Sequence, residues 1–206
     1  MVRQMALMAV WFFVPSMRQQ IRRQAAGYLH AASRVVDGPA AYPQKARYSF
    51  PFDGKSYVFN GGVEWATSPS WDIVGQRYAY GIVIADGALR RWQGAGKRLD
   101  DYYCYGMPIL APTAGVIVEV RDDVRDASGV GTGWINTFTP DFRGNFVVIR
   151  RAEGEYSFLA YLVPGSIRVV AGDRVARGQQ IGRCGNSDHS MKPHLYFHVQ
   201  DPANVL

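Results

Sequence analysis

Across residues 144–201 short apolar runs alternate with Gly-, Pro- and Asp-containing turns: FVVI, YSFLAYL, IRVV, QQIG and HLYFHV. That spacing predicts an antiparallel all-β sheet rather than helices. Successive strand side chains point to opposite faces, so in the last run His194, Tyr196 and His198 share one face and Leu195 and Phe197 the other. The Leu/Phe face reads as core, and the face carrying two His and a Tyr reads as a groove or a site. Residues 48–55 read as a strand and tight turn, residues 77–84 as a strand, and residues 107–120 as strand, Pro/Gly corner and strand. Residues 90–101 form a polar, basic loop. Residues 121–143 form a long loop, of the kind that is usually functional or disordered. Its carboxylates, Asp122, Asp123 and Asp126, lack the spacing of a calcium loop and read as solvated turn charges.

The N-terminus follows another pattern. Residues 5–14, MALMAVWFFV, are uninterruptedly apolar up to Pro15. A spanning helix needs ~20 such residues, so this run is too short alone. With Arg3 ahead of it, the run has the look of a signal-peptide core, but no small-x-small cleavage site follows directly. Behind it, Met17, Ile21, Ala25, Tyr28, Leu29, Ala32 and Val36 recur at helical spacing, and Arg18, Arg22, Arg23 and Arg34 populate other faces. This predicts a basic amphipathic helix capped by Ser16 and ended by Asp37-Gly38-Pro39. The apolar side chains of Leu7, Trp11, Phe12 and Phe13, followed by the collar of Arg18, Arg22 and Arg23, point to residues 1–36 as an anchor to a membrane or a membrane-protein complex. The expected organisation is residues 1–45 as apolar run, helix and linker, and residues 46–206 as one β domain.

With 206 residues, 48% of them hydrophobic, the chain can bury a real core. A formal net charge of +6 favours anionic partners or serves solubility alone. No RNP-like, helix-turn-helix or zinc-finger spacing supports nucleic acid as a partner. Cys104 and Cys184 form no CxxC, which argues against a structural zinc site.

The segments GNFVVI, EYSFLAYL, GDRVARGQQIG, CGNS and PHLYFHVQD, with WDIVGQRYAYGIVIADG and DDYYCYGMPILAPTAGVIVEV upstream, resemble the lysostaphin/LytM-type zinc endopeptidases, which cut peptidoglycan cross-bridges. The resemblance covers roughly residues 57–201. It implies an antiparallel, β-sandwich-like domain. It also implies a zinc ion held by a His, an Asp and the second His of a His-x-His strand, with two more His assisting. Carried over by position, the His-x-His strand reads His194-Leu195-Tyr196, so a ligand position holds Tyr196. The second assisting position holds Tyr161, Gly81 follows QRYAY where relatives have Asp, and Pro69 precedes Ser70-Trp71 where a His tends to stand. Only His194 matches, at an assisting position.

The resemblance therefore implies the family fold without its metal ligands: a pseudoenzyme with no cofactor, a binding or scaffold module on the extracytoplasmic (periplasmic) side of a bacterial membrane. Its groove, with Trp71, His189 and His198 as candidates, is expected to hold peptidoglycan or a partner peptide. Two alternatives stand beside it. One is an active endopeptidase with a shifted zinc set drawn from His189, His194 and an Asp. The other is an accessory subunit of a membrane complex with no wall role. Such a compartment permits a Cys104–Cys184 disulfide, and two separate buried thiols are the competing expectation.

Overall fold

The computed structural model describes residues 18, 22, 25, 44–68, 70–127, 129–132, 143–152, 154–187 and 190–201. Nine strands form among them: β1 (Tyr57–Gly61), β2 (Tyr80–Val83), β3 (Pro108–Leu110), β4 (Gly115–Arg121), β5 (Phe146–Ala152), β6 (Glu155–Ala160), β7 (Arg174–Val175), β8 (Gln180–Arg183) and β9 (Leu195–Gln200). Seven make one sheet in the order β1-β2-β9-β6-β5-β4-β7, antiparallel at every junction. The pair β3-β8 makes a second, also antiparallel. The fold is all-β, as the run spacing predicts.

The period of two sorts the large sheet into two faces. On one, Ile82 stands opposite Leu195, and Leu159 opposite both Phe197 and Val147. These side chains form the main core with Ile117, Ile149, Val175, and Ile109 and Ile181 of the small sheet. The two sheets are thus layers around one core. Each such side chain taken from water contributes roughly 1.5–3 kcal/mol. On the opposite face Gly81, Tyr196, Ala160 and Phe146 follow one another across four strands, and His198, Phe158 and Val148 form the next row. A second, smaller buried cluster sits there.

Three expected strands start late or fail, each for a local reason. Residues 48–50 make only single bonds to the β3 region, Ser49 N–H to Pro112 O and Leu110 N–H to Pro51 O, both 2.8 Å. Pro51 has no N–H with which to extend a ladder. Residues 77–79 are held in a turn, where Ala79 N–H donates to Gln76 O at 2.9 Å and Arg77 Nε to Trp71 O at 3.0 Å. In the IRVV run, the Asp122 carboxylate accepts the N–H of Gly165 and Ile167 at 2.8 and 3.2 Å. The Ile167 donor is then lost to a ladder, and the run forms no strand. Val169 still reaches the core. Asp122 and Asp126 therefore serve as fixed acceptors rather than solvated charges, since Asp126 accepts from Tyr105 Oη at 2.7 Å and Asn186 N–H at 2.9 Å.

Chain entry to the domain is tied down. Glu155 is 1% exposed and accepts Lys45 N–H at 2.5 Å and Tyr48 Oη–H at 2.9 Å. Ahead of it, Arg18, Arg22 and Ala25 are helical and exposed. The remaining anchor residues, Leu7, Trp11, Phe12, Phe13 and Arg23, lie outside the described residues. Among the described residues no helix is long and apolar enough to cross a membrane.

Candidate functional site

The second sheet face brings Gly81, Tyr161, His194 and Tyr196 together. β9 supplies Tyr196 directly opposite Gly81 of β2 and Ala160 of β6. Tyr161 directly follows β6 in the left-handed region (φ 67), unusual for a bulky residue. The kink turns its ring onto the site, 5.0 Å from His194 and 5.7 Å from Tyr196 by ring centroids. A bulge in β1 between Val58 and Asn60 adds Phe59, whose ring meets His194 edge-on at 5.3 Å. Bulges beside sites commonly re-aim a side chain in this way.

Aromatic contacts then continue from Tyr196 to His198 (5.7 Å), His198 to Phe158 (5.1 Å) and Phe158 to Phe146 (5.0 Å). The guanidinium of Arg143 closes the series 4.2 Å over Phe146. His198, expected in an open groove, is instead 1% exposed within this stack. The face with His and Tyr is a second apolar layer because ring edges and faces pair there.

His194 Nδ1 and the Tyr196 hydroxyl have partners within the protein. His194 Nδ1 lies 2.8 Å from Lys192 O and 3.1 Å from Ser190 Oγ. A carbonyl only accepts, so Nδ1 carries the proton. Burial, aided by the charge of Arg91, lowers the His194 pKa to about 4 and keeps the ring neutral. Tyr196 Oη donates to Gln76 Oε1 at 2.6 Å and contacts Ser70 Oγ at 2.9 Å. Burial pushes its pKa up, so it remains a protonated phenol.

These residues do not fit a zinc ion. Zinc takes imidazole, thiolate or carboxylate donors, three from the protein at a hydrolytic site. Here one neutral imidazole meets two phenols. A Cβ added at Gly81 would lie 2.2 Å from Asn60 Oδ1 and 2.4 Å from Phe59 Cε1, so a ring already fills the space a side chain at 81 would enter. By strand alternation the β2 position beside Gly81 on this face is Val83, buried and donorless. Among the described residues no three His, Cys, Asp or Glu side chains cluster for a metal.

Trp71 sits beside the site, edge-on to Tyr78 at 5.9 Å with the Arg77 guanidinium over it at 5.2 Å. Its neighbour Ser70 reaches Tyr196. Pro69 and His189 lie outside the described residues. Phe59, Ser70 and Gln76 are site residues that the sequence pattern did not single out. Phe59 is aimed by a bulge, and the partnership of Ser70 and Gln76 with Tyr196 spans more than a hundred residues. Cys104 and Cys184 are fully buried free thiols, and Cys104 Sγ donates to Pro193 O at 3.2 Å. Burial pushes the Cys184 thiol well up.

Residues 99–205, half of the chain, match Peptidase family M23. The chain belongs to that family. It is 25% identical over 183 residues to peptidoglycan DD-endopeptidase ShyA of Vibrio cholerae, covering 86% of this chain but 32% of that protein. The chain thus spans about a third of the length of this relative. Among solved structures, the SpoIIQ–SpoIIIAH pore forming complex aligns at 14% identity and TM-score 0.47, covering 77% of this chain and 85% of that one. The catalytic domain of lysostaphin from Staphylococcus simulans aligns at 20% identity and TM-score 0.38, covering 73% and 84%.

Proposed function

We propose that this M23 domain is catalytically silent and acts as a binding or scaffold module at the cell envelope, held by residues 1–36 to a membrane or membrane-protein complex. The observation that carries the reading is the filled site: Phe59 occupies the space beside Gly81, and the phenol of Tyr196 is bonded to Ser70 and Gln76. Without a bound metal no water is activated near neutral pH and no Lewis acid polarises a scissile carbonyl. Neither Tyr161 nor Tyr196 replaces that chemistry. The binding role rests on family membership and on the name of the ShyA relative, a peptidoglycan endopeptidase.

The test uses the full chain purified without chelators. Elemental analysis is expected to find less than stoichiometric zinc, and purified peptidoglycan is expected to sediment with the protein while releasing no soluble fragments. Chelator-sensitive release of fragments, or one zinc per chain lost on His194→Ala, would overturn the silent reading. Deleting residues 1–36 should leave the β domain folded and move it from the membrane fraction to the soluble fraction. A truncated chain that stays with the membrane refutes the anchor.

A further inference from the structure

Arg91 and Lys192 converge on Trp92 from separate parts of the chain. The Arg91 guanidinium lies 5.0 Å from the Phe59 ring centroid and 5.6 Å from that of Trp92, and Lys192 Nζ lies 4.5 Å from Trp92. Both cations are half-buried. Among the described residues neither has a carboxylate within ion-pair distance. The nearby acids are engaged elsewhere: Asp86 holds Arg90 at 2.7 Å, Asp100 lies 3.8 Å from Arg98, and Asp101 accepts the N–H of Lys97 and Arg98. Ring faces offset only part of the cost of withdrawing a cation from water. Two such charges around one indole give this surface a local positive charge.

A cleft of about 430 Å³ opens beside them, lined by Leu89, Arg91, Trp92, Gln93 and Tyr103 among others. Its loop is braced. The Asp86 carboxylate accepts the N–H of Ala88 and Arg90, both at 2.9 Å, and Leu89 is held left-handed (φ 60) with 66% of its surface exposed at the cleft. Water occupies about 30 Å³ per molecule, so the cleft is far larger than one small anion. Its walls pair apolar and aromatic surface with a planar guanidinium fork, the geometry that grips a carboxylate in two bonds.

We propose that this cleft binds the carboxylate end of a short peptide. Arg91, which lines the cleft, takes the carboxylate, Lys192 adds its charge from the Trp92 ring, Gln93 supplies an amide for the last peptide group, and Leu89 and Tyr103 pack the preceding side chain. This rests on the binding-module reading above and names its ligand chemistry.

The test is a two-dimensional NMR titration of the full chain with acetylated trialanine, with the same peptide as its C-terminal amide, and with inorganic phosphate. The free acid is expected to shift the Trp92 indole N–H and to bind at least tenfold more tightly than the amide. Arg91→Gln should weaken the acid at least tenfold and Lys192→Gln several-fold, with spectra otherwise those of the wild type. Arg91→Lys, which keeps the charge but loses the fork, should fall between. Equal affinity for the amide, phosphate binding as tight as the acid, or Lys192→Gln binding like wild type overturns the proposal. Sedimentation with peptidoglycan separates the two readings. Sedimentation without binding of the free acid removes the cleft and leaves the module, whereas failure of both removes both.

Discussion

Acid should destabilise this domain through a buried histidine of the second sheet face. His198 is 1% exposed, stacks on Phe158, and donates Nε2–H to Gln200 Oε1 at 2.9 Å. Its Nδ1 is buried without a partner, so a second proton would have to sit unsolvated. Burial accordingly lowers its pKa to about 4, from 6.5 in the open chain. The sign follows from which state binds the proton. Above about pH 6.5 the ring is neutral in both states and nothing is lost. Between about 6.5 and 4 the unfolded chain binds a proton that the folded one refuses, so stability falls by about 1.4 kcal/mol per pH unit. Below about 4 the folded state also protonates and the loss levels off, at a total of about 3 kcal/mol. His194 shifts the same way, through burial, and adds to the decline. Urea unfolding at steps from about pH 7.5 to 4.5 measures the decline. His198→Phe keeps the ring stack and removes the titration, so its stability should fall about 2 kcal/mol less between pH 6.5 and 5 than the wild type's. Equal declines in the two proteins would refute the assignment.

Other outcomes follow from the same geometry. Gly81→Ala should cost less than about 1.5 kcal/mol, because the nearest atoms to the added Cβ are side-chain atoms of Asn60 and Phe59, and Phe59 is 41% exposed and can give way at the cost of its ring contacts. Gly185→Ala should cost more, about 3 kcal/mol, because its Cβ meets the backbone at Val163 N (2.5 Å) and Leu162 C (2.7 Å). Chemical denaturation orders the pair, and the reverse order sinks the packing argument. Tyr196→Phe should cost about 1–2 kcal/mol by leaving Ser70 and Gln76 without the phenol, measured the same way; a neutral result means those bonds add nothing. Cys104 and Cys184 should resist a thiol reagent in the native state and both react after unfolding without reductant, and failure to react then would identify a disulfide between them.

The run spacing of residues 144–201 determined the all-β class and which β9 side chains share a face, because strand alternation is a local property of the backbone. Leu195 and Phe197 fall on the main core as the pattern requires. The chemical identities at positions 81, 161, 194 and 196 are likewise read directly from the sequence. What tertiary structure decided is what fills the space. Phe59 reaches Gly81 because of a bulge, and Tyr196 meets Ser70 and Gln76 across the fold. His198 turned from groove residue to buried ring because the second face is itself covered. The pairing of Arg91 and Lys192 at one indole joins residues a hundred apart. No periodicity encodes such contacts, because they depend on where strands stack and loops return, which is set only when the two layers close on their core.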